Sequence, residues 1–179
     1  MNLGLDISTS NVGWCILDPV TLKLVAANAI ELSKEKCIFQ KCKAVRDHLQ
    51  YIRSEYNITS ISIEENLQAF RPGFSSAKTI VTLARFNGMV TLMCHDDFSI
   101  IPTFLNVNHA RKLAGLKINR KSDSSTKDQV LEFVTGKIPE FEWPTKTLKS
   151  GVRKGLVIPA SSCYDIADAY IIALASVSE

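Results

Sequence analysis

Asp6 closes an N-terminal apolar run, Glu64 closes another, and Asp165 and Asp168 stand three residues apart near the C-terminus. A carboxylate set in apolar sequence is costly to bury alone, so the same device at three distant places implies acids that converge and share a cation. An all-carboxylate set without histidine suits Mg2+, which keeps water and substrate oxygens in the rest of its shell. The spacing of Asp165 and Asp168 lets both reach one spot from a single helix face. Taken one at a time, each acid also reads as a solvent-facing strand end or helix cap.

Cations accompany the acids. Arg111, Lys112, Lys117, Arg120, Lys121 and Lys127 are broken only by Asp123, and Lys146, Lys149, Arg153 and Lys154 by no acid at all. Either run alone is ordinary solvated charge. Beside a carboxylate cluster they acquire a use, because a metal site that works on a phosphodiester needs flanking cations to hold a polyanion. Lys127, opening a predicted helix, is placed to meet the scissile phosphate, or is a plain first-turn lysine. His48, His95 and His109 are scattered and read as surface or packing residues.

The elements that would position these groups follow from periodicity. Asn2–Ile7 and Val12–Leu17 read as strands joined by a Ser/Thr/Asn turn, and Lys23–Leu32 as a third strand. Glu35–Tyr56 carries Ile38, Cys42, Val45, Leu49 and Ile52 at helical spacing. Thr59–Ile63 alternates as strand four, and Ser75–Cys94 is a long helix with few polar faces. Phe98–Ile101 reads as strand five, Asn106–Leu113 and Thr126–Val134 as helices, and Tyr164–Val177 as a closing helix capped by Ser161 or Ser162. Three antiparallel strands followed by alternating helix and strand make an α/β fold, a mixed five-stranded sheet flanked by helices.

The chain has 179 residues, 46% apolar and 22% charged, with net charge +3, which fits one domain over residues 1–179. Its five cysteines form no CxxC pair, so zinc and a disulfide framework are not expected, and a reducing compartment is. No leader and no apolar run of membrane-spanning length is evident, so no membrane partner is expected.

Five segments carry a resemblance: Leu3-Gly4-Leu5-Asp6 with Gly13-Trp14; Ile63-Glu64; Ser75-Ser76-Ala77 leading to Ala84-Arg85 and Gly88; Thr126-Lys127-Asp128-Gln129-Val130; and Tyr164-Asp165-Ile166-Ala167-Asp168-Ala169. In this order, over nearly the whole chain, they resemble the RuvC-type Holliday-junction resolvases of the RNase H-like superfamily. One departure is Ser8, where that family usually has glycine.

The resemblance implies a homodimer that resolves four-way DNA junctions by paired symmetric nicks, with Asp6, Glu64, Asp165, Asp168 and Lys127 catalytic. It implies two Mg2+ per active site about 3.5–4 Å apart, bridged by Asp6, with Mn2+ able to substitute. DNA-binding residues would be Lys117, Arg120, Lys121 and Lys127, with Arg71 and an aromatic, Phe70 or Phe74, prying at the crossover. The site of action would be the cytoplasm or nucleoid of a bacterial or phage-infected cell, or an organellar matrix. Two other readings remain open. Another nuclease on this scaffold, YqgF-like or acting on RNA–DNA hybrids, would share the acids. The turn from Gly4 to Gly13 also resembles the first phosphate-binding hairpin of actin, sugar-kinase and Hsp70 ATPases, although no second such domain or adenine pocket is evident.

Overall fold

The computed structural model describes residues 1–65 and 76–177. Phe70, Arg71 and Phe74 lie outside them. The elements run β1 (Asn2–Ile7), β2 (Asn11–Leu17), β3 (Leu24–Glu31), α1 (Ile38–Glu55), β4 (Ser60–Glu64), α2 (Ala77–Phe98), β5 (Thr103–Leu105), α3 (Val107–Leu113), α4 (Thr126–Lys137), β6 (Thr145–Thr147), β7 (Val157–Pro159) and α5 (Ser162–Val177). Five strands form one sheet in the order β3-β2-β1-β4-β5. β1 pairs antiparallel with β2 and parallel with β4, so the connectivity changes sense at β1. The mixed five-stranded sheet expected from the sequence is present.

Alternation along the strands sorts side chains between two cores. Leu3, Leu5 and Ile7 of β1, with Val12, Trp14 and Ile16 of β2, face α1 and α2, where Val45, Leu49, Ile52, Phe86 and Val90 complete a buried cluster. Cys15, Leu17 and Leu105 face the other way and pack with Ala110 of α3, Val130 and Val134 of α4, and α5. Buried almost throughout, α5 rests directly on β1 and β2.

Two glycines make that approach possible. A Cβ on Gly4 would stand 2.5 Å from the Ala169 carbonyl oxygen and 2.6 Å from the Ala173 nitrogen, and one on Gly13 would collide with the Asp165 backbone. Farther along α5, the Asn2 amide donates to Ala173 O (2.6 Å) and Ser176 Oγ (2.7 Å), so its buried polar group is satisfied.

The structure corrects the sequence reading at the fifth strand and adds an element that the sequence left unassigned. Phe98 is the last residue of α2, not the start of a strand. Ser99 caps that helix in the left-handed region (φ 56°), its N–H bonding His95 O, and β5 starts only after Pro102. The run around Lys146–Lys154, assigned no element from sequence, forms the β6–β7 hairpin. The long α2 helix is not enclosed: Phe86, Val90, Met93 and Cys94 are buried, whereas Val81 and Leu92 are 48% and 59% exposed. All five cysteines are free.

Candidate active site

Asp6 and Glu64 meet at one end of the sheet because β1 and β4 run parallel. The register pairs Leu5 with Ile63, so Asp6 and Glu64 follow on neighbouring strands, both on the α5 side by alternation. On its other flank Asp6 pairs with Gly13, the residue whose missing Cβ admits the first turn of α5. That contact sets Asp165 and Asp168, one helical turn apart, above Asp6. The site therefore occupies the carboxyl ends of parallel strands, at the strand where the connectivity changes sense.

These four acids line a cleft of about 540 Å³ with Ser8, Ser10, Asn11, Glu65, Leu83, Val107, Arg111, Lys127, Ser161 and Tyr164. Lys127 reaches it from the first turn of α4. That turn is capped by Ser125, whose Oγ accepts from Asp128 N (3.2 Å) and donates to Asp128 Oδ2 (2.6 Å). Tyr164 Oη donates to Asp128 Oδ1 (2.8 Å), tying the start of α4 to the start of α5.

Charge in the cleft is out of balance. Burial pushes the Asp6 carboxyl well above the ordinary range, Glu64, Asp168 and Asp165 push it further, and Lys127 opposes them. Glu64 is raised to about 7, by burial first and then by Asp168, against Arg111, Lys127 and a hydrogen bond with Asp6. Asp165 is raised by burial, opposed by the Asn11 amide (3.0 Å) and Lys127. Asp168 is raised by burial, opposed by Arg111, whose Nη2 stands 3.3 Å from Asp168 Oδ1, and by Lys127. Lys127 thus acts on all four acids, and Arg111 on two of them.

Among the described residues no three His, Cys, Asp or Glu side chains already stand at ligand spacing around a point. The donor chemistry nevertheless fits a hard divalent cation. Four oxygen acids, desolvated and mutually repelling, are held beside Arg111 and Lys127, and added positive charge would relieve the repulsion.

No known family profile matches the chain, and no curated protein sequence matches it. Solved structures do. The chain is similar to T. thermophilus RuvC in complex with a Holliday junction substrate, with TM-score 0.65 and 12% identity over 97% of this chain and 90% of that one. It is similar to another Thermus thermophilus RuvC structure, with TM-score 0.59 and 15% identity over 97% and 91%. It is also similar to the yeast mitochondrial Holliday junction resolvase Ydc2, with TM-score 0.57 and 16% identity over 99% and 77%. The fold is RNase H-like.

Of the residues singled out from sequence, Asp6, Glu64, Asp165, Asp168 and Lys127 share the cleft. Lys117, Arg120 and Lys121 do not line it; they are exposed on the loop before α4, which Gln129 pins through Asn119 N (2.8 Å), Asn119 O (3.0 Å) and Ser124 O (3.0 Å). His48 stacks between Trp14 and Tyr51, away from the cleft. Sequence reasoning missed Arg111, Asn11 and Tyr164. Arg111 sits in the basic run with nothing to separate it from its neighbours until α3 folds against α5.

Proposed function

We propose that the protein is a divalent-metal-dependent endodeoxyribonuclease that resolves four-way DNA junctions as a homodimer, by paired symmetric nicks. The observation that carries this reading is the meeting of Asp6, Glu64, Asp165, Asp168 and Lys127 at one end of an RNase H-like sheet. The resolvases among the structures it resembles support the substrate class. As proposed, residues 1–179 act as one nuclease domain, working wherever junction DNA forms: a nucleoid, a phage-infected cytoplasm or an organellar matrix.

Asp6, Glu64, Asp165 and Asp168 would hold Mg2+, for which Mn2+ substitutes, and the bound metal would polarise the scissile phosphate and activate water for attack on it. The chain's own groups prepare the site. Lys127 gives an entering phosphate a cation amid the carboxylates. Arg111 holds one oxygen of Asp168 and Asn11 one oxygen of Asp165, fixing the direction in which the other lone pairs point. Ser8, Ser10 and Tyr164 supply hydroxyls along the wall. Lys117, Arg120 and Lys121 would take phosphates beyond the cleft. Phe70 or Phe74 would act at the crossover with Arg71, and comparing the Ala variants of each on fully paired and centrally unpaired junctions tests which does.

The exposed face of α2 supports the dimer. Val81, Gly88 and Leu92 fall on one stripe, and among the described residues nothing beyond Gly88's own stretch of helix lies within 4 Å of where its Cβ would stand. An interior helical glycine costs about 1 kcal/mol relative to alanine, and close approach by a second helix would offset that. Leu92→Glu should then yield monomers that nick without pairing.

The deciding experiment offers the protein and Mg2+ labelled four-way, flapped, linear duplex and RNA–DNA hybrid substrates. Paired nicks on the four-way junction are expected. Preference for the hybrid would replace this reading with that of a hybrid nuclease on the same scaffold.

A further inference from the structure

Strands β6 and β7 form a ribbon that adds nothing to either core. Thr145 pairs with Pro159, Lys146 with Ile158 and Thr147 with Val157, and bonds from Leu148 N to Leu156 O (3.0 Å) and Gly155 N to Leu148 O (2.8 Å) carry the pairing toward the tip. The turn is built rather than loose. Lys154 N bonds Gly151 O and Leu156 N bonds Arg153 O, both at 3.1 Å, with Gly151 and Gly155 at φ 79° and 88°, where only glycine is unstrained. Two-stranded ribbons are marginal in water without a packed face. This one leaves Val152 fully exposed and Leu156 and Val157 half exposed, so burial does not account for it.

Its charge is one-sided. Between Pro144 and Tyr164 lie Lys146, Lys149, Arg153 and Lys154 and no acid. All four are exposed, and none forms an ion pair among the described residues. Four such cations on a stiffened ribbon repel one another until a polyanion joins them.

The root of the ribbon stands at the cleft. Pro144 O accepts from Ala160 N (2.9 Å) and from Cys163 Sγ (3.1 Å), pinning both strands to the start of α5, whose Tyr164 and preceding Ser161 line the cleft. Leu156 precedes Pro159 by three residues, so at about 3.3 Å per residue the paired strands run roughly 10 Å, and the turn carries Arg153 to about 15 Å from that root, or about four base pairs along a duplex. The loop carrying Lys117, Arg120 and Lys121 enters α4 at the same cleft, and the ribbon leaves between α4 and α5.

We infer, on the nuclease reading proposed above, that the β6–β7 ribbon is a second DNA-binding element. It grips the backbone of a duplex arm within about half a helical turn of the acidic cleft, with Lys149, Arg153 and Lys154 on phosphates and Val152 against the groove.

The test is fluorescence anisotropy of a labelled four-way junction in rising NaCl without divalent cation, using the full chain. Lys149→Ala/Arg153→Ala/Lys154→Ala should flatten the slope of log affinity against log salt by about 2.7, or 0.9 for each phosphate no longer neutralised. Lys149→Arg/Lys154→Arg should keep the wild-type slope. Single Gln substitutions, each worth about 0.9, give the same answer should the triple variant misfold. A wild-type chain that binds with a steep slope unchanged in the triple variant overturns the ribbon's role and leaves the nuclease reading standing. A wild-type chain that binds no DNA removes both.

Discussion

β1 faces two ways, and its two faces have opposite purposes. Leu3, Leu5 and Ile7 point into the apolar cluster under α1 and α2, each at most 5% exposed. Asn2, Gly4 and Asp6 point at α5, where the contact is backbone-close and ends in four acids that repel one another. The first face stabilises the fold. The second spends part of that stability to hold charge that an exogenous cation would balance, which is the usual tension between a site and its scaffold. Changes on the two faces should therefore separate stability from activity in opposite senses.

The largest effect is expected at Asp6. Asp6→Asn should reduce junction cleavage on the order of a thousandfold or more while leaving junction binding intact or tighter. The same change should raise the melting temperature of the metal-free protein at alkaline pH, since it removes a carboxyl whose ionised form burial and three neighbouring acids disfavour. Residual cutting within tenfold of wild type would remove Asp6 from the site. Leu5→Ala, one residue away on the other face, should do the reverse. Leu5 is completely buried, so its truncation should cost about 2–5 kcal/mol, read as a shift in urea midpoint, with cleavage per folded molecule near wild type. A Leu5→Ala chain of unchanged stability and lost activity would break the division between the faces.

Arg111→Ala probes how the acidic face is held, with a smaller expected effect. Arg111 opposes the rise of both Asp168 and Glu64 and bonds Asp168 directly. Its removal frees the Asp168 carboxylate to turn and adds repulsion. The Mg2+ concentration for half-maximal cleavage should rise about 10–100-fold, as for partners that orient metal ligands, with maximal rate less affected. Arg111→Lys, which keeps charge but not the planar fork, should recover part of it. A lost maximal rate at unchanged Mg2+ requirement would instead place Arg111 on the substrate.

Much of this was legible in sequence because periodicity reports burial. The alternation that exposes Leu3, Leu5 and Ile7 as a core face also marks Asp6 as the acid on the other side, and the helical spacing of Cys42, Val45, Leu49 and Ile52 fixes α1. The acids were found because a carboxylate at the end of an apolar strand violates its surroundings. Arg111, Asn11 and Tyr164 violate nothing locally, and their roles exist only once α3, the β1–β2 turn and α5 meet. The fifth strand was displaced because Phe98–Ile101 has strand-like composition, while the left-handed cap at Ser99 and the missing donor of Pro102 are decided by backbone geometry. The β6–β7 hairpin has no apolar alternation to announce it, since neither of its faces is buried.

The smallest effect is a pH dependence, and its sign separates the two faces most cleanly. Glu64 titrates near 4.5 when unfolded and at about 7 in the folded, metal-free protein, so between those values the native state binds more protons than the unfolded chain. Stability from this group is therefore full below pH 4.5 and is lost as pH rises through about 7. Asp18 and Asp128, held below the usual carboxylate range by hydrogen bonds, act with the opposite sign and only at lower pH. His48, lowered by burial from 6.5, opposes the trend only below about pH 6.5, and it is present in every variant compared. In EDTA, urea midpoints should fall from pH 5 to pH 8, and Glu64→Gln should reduce that fall and be the more stable chain at pH 8. Leu5→Ala should lower the midpoint equally at both pH values. Added Mg2+ should restore wild-type stability more at pH 8 than at pH 5, because protons and metal compete for the same oxygens. A wild-type midpoint that rises with pH in EDTA, or a Glu64→Gln chain with undiminished dependence, would mean that the cleft acids are not the strained groups of this fold.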